Sequence, residues 1–191
     1  MTSVAIVYYS GYGHTQKVAE AVGAGAGAVA GVSVKLLQVD ANGELPADGF
    51  ATLDAADAII YGSPTYMGGP AWQFKKFADA TSKNWYVRAW QDKVGAAFTN
   101  SASLNGDKAA TLNYLWTLAQ QHGQIWVGLG LLPSNKKDSG PADVNWAGAS
   151  GGLLTISPSD ASPDEAPRSG DLETAKLFGK RVAEVTRKLR G

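Results

Sequence analysis

Apolar positions along the chain gather into short compact runs, and these alternate with stretches of helical spacing. Val4-Ala5-Ile6-Val7-Tyr8-Tyr9 opens the series and predicts a strand near residues 3–9. Residues 15–29 read as a helix, with Val18, Ala19 and Val22 as its apolar positions. Its C-terminal half alternates Gly23, Gly25 and Gly27 with alanine, and each glycine costs roughly 1 kcal/mol relative to Ala. Two readings are open there: small residues that let the helix pack closely on a sheet, or a frayed end. Val32 to Val39 alternates Val32, Val34 and Leu36 with Ser33 and Lys35, a second strand. A loop with Asn42-Gly43 and Pro46 leads to a short helix from Phe50 to Ala55.

Ala58-Ile59-Ile60-Tyr61 predicts a buried strand, followed by a loop from Gly62 to Pro70. A helix then runs from Pro70 to about Thr81, with the proline in its first turn, where the missing N–H costs nothing. Val94 to Thr99 is a fourth strand, Asn100 to Asp107 a polar loop, and Lys108 to Gln121 a helix. Ile125 to Leu129 starts a fifth strand. Residues 133–151 are rich in Gly, Pro, Ser and Asp and read as a loop insertion, and Leu153 to Ile156 continues the sheet edge. A loop with three prolines, 157–170, precedes a last helix from about Asp171, striped by Leu172, Ala175, Phe178, Val182, Val185 and Leu189. Buried strands alternating with helices predict one α/β domain, residues 1–191, with a parallel doubly wound sheet.

Composition narrows the partners. Lys plus Arg equals Asp plus Glu at 17 each, so no net charge favours nucleic acid or an anionic membrane. The chain has no cysteine, which removes disulfides, thiolate catalysis and cysteine-held metals and fits a reducing, cytoplasmic setting. Two isolated histidines support no metal site. No stretch is long and apolar enough to span a membrane, and the first residues lack the basic start of a signal peptide.

Chemistry concentrates in the loop after the first strand. Ser10-Gly11-Tyr12-Gly13-His14-Thr15 places hydroxyls and glycine backbone at the start of a helix, an arrangement suited to a phosphate. The Gly-Lys-Ser/Thr ending of a P-loop and the G-x-G-x-x-G spacing are both absent, and no Lys or Arg lies in the loop. In open α/β sheets ligands bind beyond the carboxyl ends of strands, which groups this loop with 63–70 and 99–106. All three are rich in Gly, Ser, Thr, Asn and aromatic residues, not in charge.

Ile6-Val7-Tyr8, Ser10, Gly13, Thr15, Ala19 and Val22 stand at the spacings of the flavodoxin signature. Over nearly its full length the chain resembles the flavodoxin-like superfamily, and most closely the WrbA-type NAD(P)H:quinone oxidoreductases. The matching segments are 9–14, 62–68, Thr117-Leu118-Ala119 with His122-Gly123, and 170–175 with Gly179 and Val182. Members often carry a basic residue where Tyr66 stands and Phe where Met67 stands, so the grip on a nicotinamide nucleotide differs here. The resemblance implies a five-stranded sheet of order 2-1-3-4-5, FMN as cofactor, NAD(P)H as co-substrate and a quinone acceptor. It also implies assembly as a homo-tetramer or homo-dimer.

The same resemblance assigns the site. Ser10, Gly11, Tyr12, Gly13, His14 and Thr15 would hold the FMN phosphate, His14 by its backbone N–H at least. Pro64, Thr65, Tyr66, Met67 and Gly68 would flank the flavin ring. Thr99, Asn100, Ser101, Ala102, Ser103 and Gly106 would meet the pyrimidine edge and ribityl chain. His122 would lie over the flavin and serve as proton donor to the quinone, and Trp85, with Tyr66, would wall the substrate pocket. Each has a plainer reading. His14 and Tyr66 could be exposed loop residues, and the tryptophans core or interface anchors. Lys136-Lys137 could be solvated or meet a dinucleotide phosphate. His122 could simply end its helix, capped by Gly123. Two other functions compete with the quinone reductase: an electron-carrier flavodoxin, and an FMN-binding module without turnover.

Overall fold

A computed structural model describes all residues, 1–191. Its strands are β1 (Thr2–Tyr9), β2 (Val32–Val39), β3 (Ala58–Tyr66), β4 (Gly69–Pro70), β5 (Val94–Ser101), β6 (Ile125–Trp126) and β7 (Leu153–Ile156). The helices are α1 (His14–Gly27), α2 (Gly49–Ala55), α3 (Trp72–Ala80), α4 (Ser82–Tyr86), α5 (Lys108–Gln121) and α6 (Ser169–Arg190). The parallel sheet runs β2-β1-β3-β5-β6, the doubly wound order expected once the β3–β4 hairpin is set aside. Two apolar cores lie on its opposite faces. One gathers Ile6, Val18, Ile60, Phe98 and Phe178 under α1 and α6; the other gathers Val7, Leu53, Ile59, Phe74 and Leu115 under α2, α3 and α5. No helix is long and apolar enough to cross a membrane.

The fifth strand position is filled by two segments. β6 pairs with Val94-Gly95 at the start of β5, and β7 pairs with Phe98 to Ser101 at its end. Residues 127–152 therefore leave the sheet and return to the same ladder. The excursion is ordered by Asn145, whose amide bridges Leu131 O, Ala149 O and Ala149 N while its own N–H donates to Thr174 on α6. Ile125–Leu129 was expected to be a strand; only its first two residues pair, and the insertion takes over from there.

β3 also departs from expectation. It extends to Tyr66 and turns through Met67 (φ 48°) and Gly68 (φ 78°) into β4, a two-residue hairpin whose residues both adopt positive φ. Pro70 consequently sits in a strand, not in the first turn of a helix, and α3 starts at Trp72. Ser63 braces the hairpin: its hydroxyl donates to Pro64 O at 2.9 Å and accepts from Ala71 N–H at 3.0 Å.

The glycines of α1 resolve in favour of close packing. The helix runs unbroken through Gly27. Gly25 faces α6, where a Cβ would stand 1.8 Å from Lys176 O, and Gly179 of α6 faces Val22 O at 1.9 Å from its own would-be Cβ. Gly23 faces the sheet, with Leu36, Ile6 and Val34 around it. The close partner is thus chiefly a second helix, met along the C-terminal half of α1.

Candidate functional site

The site is built where β1 ends. Gly13 caps α1 at φ 88°, in the left-handed region, and a Cβ there would stand 2.7 Å from Pro163. Ser10 Oγ accepts from Gln16 N–H at 3.1 Å, and Lys17 N–H bonds Gly13 O. The N–H groups of residues 11–15 find no acceptor in the chain. Orphan donors at the positive end of a helix form an anion cradle.

Around that cradle lies a cleft of about 550 Å³, within the roughly 300–1,000 Å³ typical of cofactor sites. Tyr12, His14 and Thr15 form its first wall, Pro64, Thr65 and Tyr66 the second, and Asn100, Ser101 and Ala102 the third. A fourth wall, Ser157, Ser159, Ala161 and Pro163, was not expected. Its loop follows β7, so it too leaves a carboxyl end of the sheet. Leu153–Ile156 does continue the sheet edge, but nothing in the proline-rich loop after it marks a ligand wall. His14 ties first and fourth walls together, its Nε2–H donating to Ala161 O at 2.9 Å. No Lys, Arg, Asp or Glu lines the cleft.

The walls are preset by polar contacts. Thr99 is fully buried, and its hydroxyl pairs with Thr65 Oγ1 at 2.8 Å; Thr65 in turn donates to Thr111 Oγ1 at 2.8 Å. Asn100 Oδ1 accepts from Thr155 at 2.8 Å and Ser157 at 3.0 Å, which leaves its amide NH2 for the cleft. Tyr66 packs its hydroxyl against Gly11, where a Cβ would stand 2.7 Å away, and meets Tyr12 edge-on at 6.2 Å. Burial, with Tyr9 and Tyr12 nearby, pushes the Tyr66 phenol up to about 12, so it is neutral at pH 7.

Several expected residues frame the site without lining it. Ser10, Gly11 and Gly13 shape the cradle, while Ser103 and Gly106 shape the third loop, where a Gly106 Cβ would strike Ser101 Oγ. Met67 and Gly68 stand outside the cleft at the hairpin tip, Met67 fully exposed. Thr99 lies behind the wall. His122 and Trp85 are not brought to the cleft at all. They border a separate shallow depression with Thr81 and Leu118. His122 ends α5 and is 5% exposed; its Nε2 meets Thr81 Oγ1 at 2.9 Å and its ring lies 4.4 Å from that of Trp90. Burial lowers its pKa to about 4, and Nδ1 has no partner. An imidazole so held is neutral at pH 7, and within one chain it donates no proton to a ligand in the cleft.

The donor set fits FMN: an anion cradle for a phosphate, hydroxyls and an amide for a ribityl chain and pyrimidine edge, and tyrosines beside a planar ring. Fold and cleft together define a flavodoxin-like protein. A family model described as NADPH-dependent FMN reductase matches residues 4–128. The chain is 53% identical over 189 residues to flavodoxin FldP of Pseudomonas aeruginosa (strain UCBPP-PA14), covering 99% of both proteins. It is 32% identical over 207 positions to an NAD(P)H dehydrogenase (quinone) of Trichlorobacter lovleyi, again covering 99% of each. The crystal structure of the flavodoxin, WrbA-like protein from Agrobacterium tumefaciens shares 49% identity and a TM-score of 0.79, covering 98% of this chain and 99% of that one. The chain belongs to the NADPH-dependent FMN reductase family of flavodoxin-like proteins.

Proposed function

We propose that this protein is a flavodoxin-type redox protein that passes electrons through one FMN held in the four-walled cleft. The orphan N–H groups of residues 11–15 carry the reading, since they answer a phosphate and no group of the chain answers them. FMN supplies the redox chemistry when bound. The chain's part is to bind and orient it. Thr15 and Ser10 hydroxyls join the backbone donors at the phosphate. Tyr12 and Tyr66 flank the ring. Thr65 backbone and Asn100 amide meet the polar edge, beside Ser101, whose O–H is turned to Ser103 O. The tyrosines and prolines exclude water from one side and leave the other open to a partner.

A second reading, NAD(P)H:quinone oxidoreductase, is favoured by the 32% relative and by the groove of Met67, Pro70, Trp72, Lys75, Lys76 and Asp79 that adjoins the cleft through Tyr66. In that case nicotinamide and quinone would stack in turn on the open flavin face. His122 and Trp85 could act only from another copy of the chain in a homo-dimer or homo-tetramer. The experiment is anaerobic mixing of the FMN-loaded protein with NADH or NADPH, then with a benzoquinone. Bleaching within seconds and reoxidation by quinone establishes the enzyme. Flavin that stays oxidised under NAD(P)H but is reduced by dithionite establishes the carrier.

A further inference from the structure

Lys108 has no surface exposed, although it opens a helix beside the cleft. Its Nζ donates to Ser101 Oγ at 3.0 Å, to Ser103 O at 2.6 Å and to Leu104 O at 3.0 Å. All three ammonium protons are thereby spent inside the loop that forms the third wall. Gly106, at φ 54°, lets that loop close on Ser101. A buried ammonium is tolerated only where oxygens replace its water, and an uncharged chain of equal length would fill the space more cheaply. Packing alone does not account for a lysine here.

The charge has one acidic counterpart. Asp171, 4% exposed at the start of α6, accepts from Ile156 N–H at 2.7 Å and lies outside ion-pair contact with Lys108. Burial lowers Lys108 to about 8 and raises Asp171 to about 6, and each moderates the other's shift. The three oxygens around Nζ each take one of its protons, which requires the ammonium form. Ser101 stands between the charge and the cleft: it lines the cleft, its Oγ accepts from the ammonium at 3.0 Å, and its own O–H donates to Ser103 O at 3.2 Å, so the charge reaches the cleft through space.

We propose that Lys108 is a positioning residue that shapes the third wall and sets a positive charge behind Ser101, so that reduced FMN is held more tightly relative to oxidised FMN. This rests on the FMN reading of the cleft. Two electrons and one proton convert FMN to a reduced anion whose charge lies near N1 and C2=O, the edge that Asn100 and Ser101 would meet in this cleft.

The test compares wild type, Lys108→Met and Asp171→Asn. Oxidised FMN affinity is read by fluorescence titration, and the two-electron midpoint potential by dithionite titration against a reference dye. Lys108→Met should weaken reduced FMN at least tenfold more than oxidised FMN, a fall of about 30 mV. Asp171→Asn, which removes the opposing charge, should raise the potential. Potentials that stay at the wild-type value, or that move together in one direction, would overturn the proposal and leave Lys108 a purely structural residue. Should Lys108→Met fail to fold, Asp171→Asn decides alone: a raised potential supports the proposal and an unmoved or lowered one overturns it. A wild type that takes up no FMN would instead defeat the reading of the cleft, and the proposal with it.

Discussion

Thr15 and Gly13 show how single residues near α1 decide ligand binding. Thr15 is 3% exposed and lines the cleft beside the cradle. Thr15→Ala should weaken FMN binding by roughly 1–3 kcal/mol through an unanswered phosphate oxygen, as read by fluorescence titration. Gly13→Ala forces a side chain into φ 88° and into Pro163, and should cost roughly 1–3 kcal/mol of stability and loosen the fourth wall. These residues were legible because cap, turn and anion chemistry are local properties of a dozen consecutive positions. His122 was not. Its partners Thr81 and Trp90 lie 41 and 32 positions away and bury it in a place that helix-end logic does not reveal. Gly123 does cap that helix, at φ 71°. His122 also predicts a pH effect. Its folded pKa, about 4, lies below the ordinary 6.5, so its neutral form stabilises the fold above pH 6.5 and that contribution is lost as pH falls through 4. The stability advantage of wild type over His122→Gln should shrink by up to about 3 kcal/mol between those values in urea melts. Comparison with the variant is needed because Asp171, raised to about 6, acts in the opposite sense over the same window.

At the scale of elements, α1 packs closely on α6. Gly179→Ala would drive a methyl into Val22 O and should cost roughly 1–3 kcal/mol, lowering the melting temperature without altering the cleft walls directly. The alternating glycines of α1 were visible in the sequence, but their partner, some 150 positions on, was not, so packing and fraying could not be told apart there. The split fifth strand has the same cause. Ile125–Leu129 has strand composition, yet only long-range pairing decides that β7 occupies the upper half of the ladder. Leu153–Ile156 reads correctly as sheet edge, but the loop at 157–170 that follows it carries no binding signature and goes unrecognised as a wall. The Met67-Gly68 hairpin was missed because Pro70 suits a helix start and a strand end equally well in isolation.

Across the whole molecule, the alternation of strands and helices was enough to foresee a parallel sheet and the edge at which the cleft opens. That edge carries uncharged donors on every wall, which matches a chain of zero net charge. Elsewhere on the surface, large apolar side chains stand exposed on α3 and α4: Trp72 at 61%, Trp85 at 49% and Tyr86 at 81%. Such surface is commonly covered by a second copy. Sizing of the protein should therefore give a multiple of 19.9 kDa, and Trp85→Glu should return it to the monomer while leaving the cleft intact. If four loops at the carboxyl edge bind one FMN, titration of free FMN with the purified protein should give saturable quenching of flavin fluorescence at one FMN per chain, weakened by Thr15→Ala. Fluorescence unchanged at micromolar protein would contradict it.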